Sequence, residues 1–396
     1  MTSYTRTTPA VARQGLLTGR TKRRLQENLL AYLFISPATL ITLTFGLLPV
    51  LYAVYVSLHK WRVKKGAFLG FRHYLRALGE PRGFAIFILG LLLLLLAWWV
   101  WRRATQAASD RRLIFGLITA IFLMAAGWAV WTGFPVMLET GDIRLFRAIS
   151  VTVFYSVGTV PVQLALALVL AYLLFQNVRG QDFYRMIYFM TYVTPVVASA
   201  AVFRGIVFTP RDEGLANLFL SAIGLPTMKW LYEPKGVNLV LTNLAGLEIP
   251  SWLGGPSLAL VSVMLYNIWV FVGYDAVIFL AGLGNIPAEL YEAAKIDGAG
   301  RWALFRHITL PLLSPTTFFL SMVAVIGTFK AFTHIYVMRT PGAQRTVDTV
   351  SIYIFDNFFK ATRYGYASAL AFILFAIILS LTLIQNRVIG ERVFYG

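Results

Sequence analysis

The 396-residue sequence contains no cysteine, so it has no disulfide framework, no thiolate metal site and no cysteine nucleophile. Charge is also scarce: 13% of residues are Asp, Glu, Lys or Arg, where a soluble domain carries about a quarter. The four histidines, His59, His73, His307 and His334, are widely scattered and form no H-E-x-x-H zinc pattern. No G-x-x-x-x-G-K-[ST] phosphate cradle and no G-x-S-x-G nucleophile elbow is present. The chain thus lacks the parts for ATP hydrolysis and any familiar catalytic constellation. Energy for uphill transport has to come from a partner or from an ion gradient, and no cofactor or metal is expected.

Apolar sequence is what the chain has in abundance. Hydrophobic residues make up 58% of it, in runs of about 18 or more, the length that crosses a bilayer as a helix. The pattern predicts an all-α polytopic membrane protein with about eight spans, at 29–58, 84–101, 113–131, 148–175, 184–208, 256–282, 308–332 and 364–388. Pro37 and Pro49 fall within the first. Residues 1–28 are polar, carry Arg20, Lys22, Arg23 and Arg24, and lack a small-residue cleavage site before the first run. They read as a cytoplasmic tail before a retained helix. The net charge of +18 is assigned to loops that meet anionic lipid headgroups rather than to nucleic acid, since no aromatic-interleaved basic stripe is present. With the N-terminus inside, the connection RRATQAASDRR at 102–112 is cytoplasmic, as the positive-inside rule prefers. The 59–83 connection would be external and is also basic, so charge alone orients the chain weakly. The longest stretch outside the spans, 209–255, has room for a small external subdomain only.

Few ionisable residues lie within the spans. Asp275 is the one acidic group well inside; it either pairs with a neighbour near an interface or serves as a relay. Arg204 and Lys330 sit near span ends and are expected to snorkel.

Residues 286–315, IPAELYEAAKIDGAGRWALFRHITLPLLSP, carry most of the functional information. Pro287 suits the first position of a helix, Glu289 and Glu292 complement the helix dipole, and Ala293 and Ala294 are strong helix formers. Gly298 and Gly300 end that helix, and 301–307 begin a second one that enters the next span around Pro311. Two short helices at an angle, rich in small residues, would permit close approach by another protein.

This segment resembles the EAA loop of type I ABC importer permeases, E-A-A-x3-G-x9-I-x-L-P. Glu292-Ala293-Ala294, Gly298, Ile308, Leu310 and Pro311 match every fixed position and both spacings. The fuller pattern is similar to the carbohydrate-uptake permeases of the maltose, glycerol-phosphate and oligosaccharide type. FLGFRHYLRAL (68–78), DFYRMIYFMTYVTPVVASAAVFRGIVF (182–208) and YGYASALAFILFAIILSLTLIQ (364–385) resemble further family blocks. Met190 and Thr191 stand where the family usually has Leu-Pro, so helix breaking there rests on Pro195. Residues 84–145 have no counterpart in the common six-span form and add a two-helix hairpin, expected to pack outside a core at 146–396. The large external domain of the maltose-type subunit is absent.

The resemblance implies a permease subunit of a binding-protein-dependent sugar importer in a prokaryotic plasma membrane, with both termini cytoplasmic. Its implied partners are a second permease in a heterodimer, an ATP-binding cassette ATPase dimer and an extracytoplasmic solute-binding protein. The chain itself would be no enzyme. Glu292, Ala293, Ala294, Asp297, Gly298, Ala299 and Gly300 would dock on the ATPase, with Glu292 pairing with a basic group or capping its helix. Candidate groups lining the solute path are Gln163, Tyr192, Thr194, Asn267, Trp269, Tyr274, Ser314 and Thr328, because a sugar needs hydrogen-bonding groups and aromatic faces. The Asn267 amide either lines water or bonds a neighbouring helix. Glycerol-phosphate or another polar solute, a gradient-driven carrier using Asp275, and a membrane-embedded enzyme are the alternative readings.

Overall fold

The computed structural model describes residues 19–105, 109–176, 179–244, 246–250, 253–388 and 390; residues 1–18 of the expected tail and 391–396 lie outside them. Among the described residues, six helices are long and apolar enough to cross a membrane, and two bent pairs bring the possible spans to eight. Two units are distinguished, 1–56 and 57–396. In the first, α1 (Glu27–Ser57) exposes apolar side chains such as Phe34 and Phe45. It widens into a π turn at Thr42–Leu47. Pro49 lies two residues beyond that turn and supplies no N–H to the helical ladder.

The second unit opens with a short hairpin, β1 (His59–Trp61) against β2 (Lys65–Phe68), and a two-turn helix at Arg72–Leu78. Next come α2 (Pro81–Ala104) and α3 (Ser109–Thr140), which pack along one another. Their contact runs through small residues. A Cβ on Gly133 would stand 2.7 Å from the backbone nitrogen of Phe87, and one on Gly90 2.8 Å from Val130 Cγ2. Lipid gives apolar helices no hydrophobic reason to associate, so close backbone approach through small residues is what joins them.

The helices that follow are α4 (Ile143–Phe175), α5 (Gln181–Val193), α6 (Val196–Val207), α7 (Leu258–Gly284), α8 (Ala288–Ile296), α9 (Arg301–Leu312), α10 (Ser314–Lys330) and α11 (Tyr364–Val388), with shorter ones at Leu215–Ala222, Val237–Leu244, Thr333–Met338 and Val350–Phe355. The expected fifth span is broken: α5 and α6 meet at 93°. The break falls at Thr194, extended at ψ 134° before Pro195, as expected of a residue whose helical conformation a following proline disfavours. The seventh span starts at Arg301 rather than 308. It runs through a π turn at Phe305–Thr309 and bends by 61° between α9 and α10. Pro311 therefore lies inside α9. The bend is at Leu313, two residues before Pro315, which cannot continue the hydrogen-bond ladder.

Helices α4 and α7 form the centre. Polar pairs join helices far apart in sequence: Tyr155 Oη to His334 Nε2 at 2.7 Å, Ser199 Oγ to Tyr266 Oη at 2.7 Å, and Thr328 Oγ1 to Ser156 Oγ at 2.8 Å. Such bonds contribute about 1 kcal/mol each between membrane helices. The 209–255 segment forms short helices organised by buried Asn217. Its amide donates to the carbonyls of Arg211 and Met228 and accepts from the Met228 N–H and the Trp230 indole.

Asp142, between α3 and α4, ties this core to the helix at Arg72–Leu78. One carboxylate oxygen accepts hydrogen bonds from Tyr353 and Tyr366, each at 2.6 Å, and the other caps α4 through the Arg144 N–H at 3.0 Å. Its own N–H donates to the Ala77 carbonyl. Burial opposes its ionisation, but these tyrosines and the N–H groups of Arg144 and Leu145 outweigh burial and hold the carboxyl below its usual range. A carboxyl depressed in the fold stabilises it above the unfolded pKa and loses that contribution as pH falls through the folded one. Asp142→Ala is expected to cost about 2 kcal/mol, from a lost cap and two charge-assisted bonds. The difference from wild type in thermal unfolding should be full at pH 7 and shrink below pH 3.8, the ordinary value; an unshifted unfolding temperature at pH 7 contradicts this.

Candidate functional site

The segment between α7 and α10 builds a compact knuckle at one end of the molecule. Pro287 is the cap residue of α8 rather than its first helical residue, with Glu289 in the first turn. Helix α8 ends in a left-handed Gly298 at φ +83°. There the Gly298 N–H bonds the Lys295 carbonyl at 3.0 Å and the Ala299 N–H bonds the Ala294 carbonyl at 2.9 Å. This paired closure requires a residue tolerant of positive φ at its centre, which accounts for glycine in the motif. Gly300 then caps α9, its carbonyl accepting from Leu304 N–H. One side-chain bond fixes the knuckle to the span beyond it, Tyr291 Oη to Thr309 Oγ1 at 3.0 Å.

Glu292, Ala293, Asp297, Gly298 and Gly300 are exposed; Ala294 and Ala299 are half-buried. Within this chain Glu292 forms no ion pair among the described residues, so its carboxylate stays on the exposed face of α8. Around Gly298 and Gly300 a Cβ would meet nothing within 4 Å. Three apolar side chains that the motif does not specify surround this open surface. Ile296 is 86% exposed, Trp302 69% and Leu290 43%. Apolar exposure of this kind is a feature of surfaces that meet protein or membrane, and its signal in the sequence is an isoleucine and a tryptophan inside an otherwise polar loop. Trp302 stacks on Phe305, which meets Tyr172 of α4 edge-on at 5.0 Å.

The path candidates separate into two sets. Gln163, Asn267 and Thr328 are buried within this chain. Gln163 Nε2 donates to Asp275 Oδ2 at 2.6 Å, and Asn267 Nδ2 donates to Gln163 Oε1 at 3.1 Å. Of the two expectations for Asn267, the described geometry is the interhelical bond, with Asp275 bonded into the same network. The aromatic candidates reach the surface: Tyr192 stacks on Tyr274 at 4.5 Å, and exposed Trp269 lies against Phe203 at 4.8 Å. Thr194 and Ser314 are half-buried at the two helix breaks. Six long apolar helices, two broken spans and a short helix outside them make the chain a multi-pass helical membrane protein. The chain belongs to the family of binding-protein-dependent transport system inner membrane components, which matches residues 163–392. It is accordingly a multi-pass membrane permease and not an enzyme.

Its relatives agree. The probable ABC transporter permease protein YesP of Bacillus subtilis (strain 168) is 32% identical over 270 residues, 67% of this chain and 79% of that one. The trehalose/maltose transport system permease protein MalF of Thermococcus litoralis is 25% identical over 369 residues, 93% and 96% of the two chains. A bacterial alginate ABC transporter, solved with an alginate pentasaccharide-bound periplasmic protein, contains a chain of the same fold. Its TM-score is 0.62 at 19% identity, with 93% of this chain and 96% of that one covered.

Proposed function

We infer that this permease carries a saccharide as half of an ATP-driven importer and couples to the ATPase through α8. The observation that carries the reading is the knuckle at 286–311, with its small exposed surface rimmed by Leu290, Ile296 and Trp302. Relatives named for trehalose/maltose and for lactose support a sugar as cargo. In this reading α8 lies in the cytoplasm, both chain ends lie on that side, and the second permease closes the solute path against Tyr192, Tyr274 and Trp269. An extracytoplasmic binding protein delivers solute to the opposite end. Helices α2 and α3 form an accessory hairpin outside the core; since 145 falls inside α4 and Asp142 bonds to the core, a deletion that tests this has to stop before Gly141.

Proteoliposomes holding this chain with its second permease and ATPase, supplied with the binding protein outside and ATP inside, are expected to accumulate oligosaccharide. A proton or sodium ionophore should leave that uptake unchanged. Uptake that needs no ATP and collapses with the ionophore would instead establish a gradient-driven carrier.

A further inference from the structure

At the end of the core opposite α8, the loops between α10 and α11 and the end of α6 line an open, shallow hollow of about 620 Å³. Arg204, Tyr336, Arg339, Gln344, Arg345 and Lys360 line it, and no carboxylate does. A larger hollow of about 1060 Å³ shares Gln344, Arg345 and Lys360 and adds Arg144, Arg147 and Arg363, together with the carboxylates of Asp348 and Asp356. In the inferred orientation this is the extracytoplasmic face, where membrane proteins are poorer in Lys and Arg than on the cytoplasmic side. Cations gathered in a concavity there require a reason other than topology.

Not all of these charges are available. Arg339 is neutralised by Asp348 at 2.7 Å and Asp356 at 3.0 Å, and Lys360 also touches Asp356 at 2.8 Å. Arg204 has no carboxylate partner among the described residues. It donates one Nη1–H to the Val337 carbonyl at 2.9 Å, a bond that aims the group and leaves its charge uncompensated. Arg345 forms no ion pair among the described residues, although its charge acts on the nearby Asp348 carboxyl, and it follows Gln344 in two successive left-handed conformations at φ +47° and φ +65°. Such backbone is costly for residues other than glycine and is found where a side chain must be presented. Aromatic surface adjoins the cations. Phe203, next to Arg204, meets exposed Trp269 at 4.8 Å, and Lys360 stands 5.5 Å from the Tyr336 ring.

We propose that the hollow receives an oxyanion-bearing saccharide, with Arg204 and Arg345 binding its carboxylate or phosphate and Tyr336 taking the C–H face of the sugar. Guanidinium forks match planar oxyanions, and aromatic faces suit sugar C–H surface. The proposal rests on the saccharide-importer reading and narrows it to acidic cargo.

The test is saturation-transfer NMR on the full chain in phosphatidylcholine nanodiscs, which present no anionic lipid. The probes are trigalacturonate and neutral galactotriose. Trigalacturonate is expected to bind about tenfold more tightly, the size of one charge-assisted contact, and R345Q or the R204Q/R345Q pair should abolish that preference. R345Q alters an exposed loop side chain, so loss of fold does not confound it. Competition by galacturonate over galactose 6-phosphate assigns the carboxylate; the reverse order assigns the phosphate. Equal binding of charged and neutral trisaccharides, or a preference unchanged in both variants, overturns the proposal and leaves the importer reading intact. Failure of both trisaccharides to bind also overturns it. Whether the importer reading falls too is then decided by ATP-driven oligosaccharide uptake in the proteoliposomes.

Discussion

Ala293→Glu is expected to remove the ATPase from the purified complex while the chain still inserts, folds and holds its second permease. Ala293 is exposed on α8, so a longer side chain meets nothing within this molecule. Against a docked partner it places an uncompensated carboxylate in a desolvated contact. Charges misplaced in this way cost several kcal/mol, so retention should fall by about a hundredfold or more. Gly298 gives a matched pair of variants. Its φ of +83° tolerates asparagine far better than valine, and space for either side chain is open. Gly298→Asn should keep most of the coupling and Gly298→Val should lose it, with copurified ATPase per permease as the readout. Equal loss in both would make side-chain bulk, not helix closure, the determinant.

The largest effect on the fold is expected from Gly273→Ala. Helix α7 crosses α5 so closely that a Cβ on Gly273 would overlap the carbonyl oxygen of Tyr188. That neighbour is backbone and cannot rotate away. The same crossing is bonded by Thr191, whose hydroxyl reaches the carbonyls of Tyr188 at 2.8 Å and Val270 at 3.3 Å. Forcing the helices apart for a single methyl is expected to cost about 3 kcal/mol, at the upper end of overpacking penalties. It would also separate Tyr192 from Tyr274, so transport should fall further than stability alone explains. Thermal unfolding in detergent together with saccharide uptake measures both. An unfolding temperature equal to wild type would contradict the described crossing.

These two sites differ in how far the sequence revealed them. The knuckle was legible because its determinants are local: the spacing from Glu292 to Pro311 fits a helix, a stop and a restart within one short segment. The helix break at Thr194–Pro195 was legible for the same reason, despite Met190 and Thr191 replacing the family's Leu-Pro. The spans were legible as apolar runs. Their ends were less so, because nothing in the apolar pattern separates a π turn at Phe305–Thr309 from ordinary helix, and the bend at Leu313 sits away from Pro311. Contacts across the fold stayed hidden. Asn267 was readable as a costly amide, but its partner Gln163 lies 104 residues away, and Asp275 lies 112 residues from Gln163. Asp142 gave no signal at all, since Tyr353 and Tyr366 reach it across more than half the chain. The hollow at Arg204 and Arg345 was invisible for the same reason: Arg204 alone reads as a snorkelling cation, and only tertiary packing brings Arg345 and Lys360 beside it.

The absence of cysteine makes the central claim directly measurable. Ala293→Cys places a single thiol on α8, and Gly224→Cys places one in a loop at the opposite end of the core, where the space is open and the φ of +76° adds only local strain at the turn. A bifunctional maleimide–photoreactive reagent attached to each is then activated in membranes that contain the assembled complex. The account predicts a cross-link to the ATPase from position 293 and none from position 224. A 293 thiol that labels fully yet yields no ATPase adduct, or an adduct from 224 instead, would contradict coupling through α8.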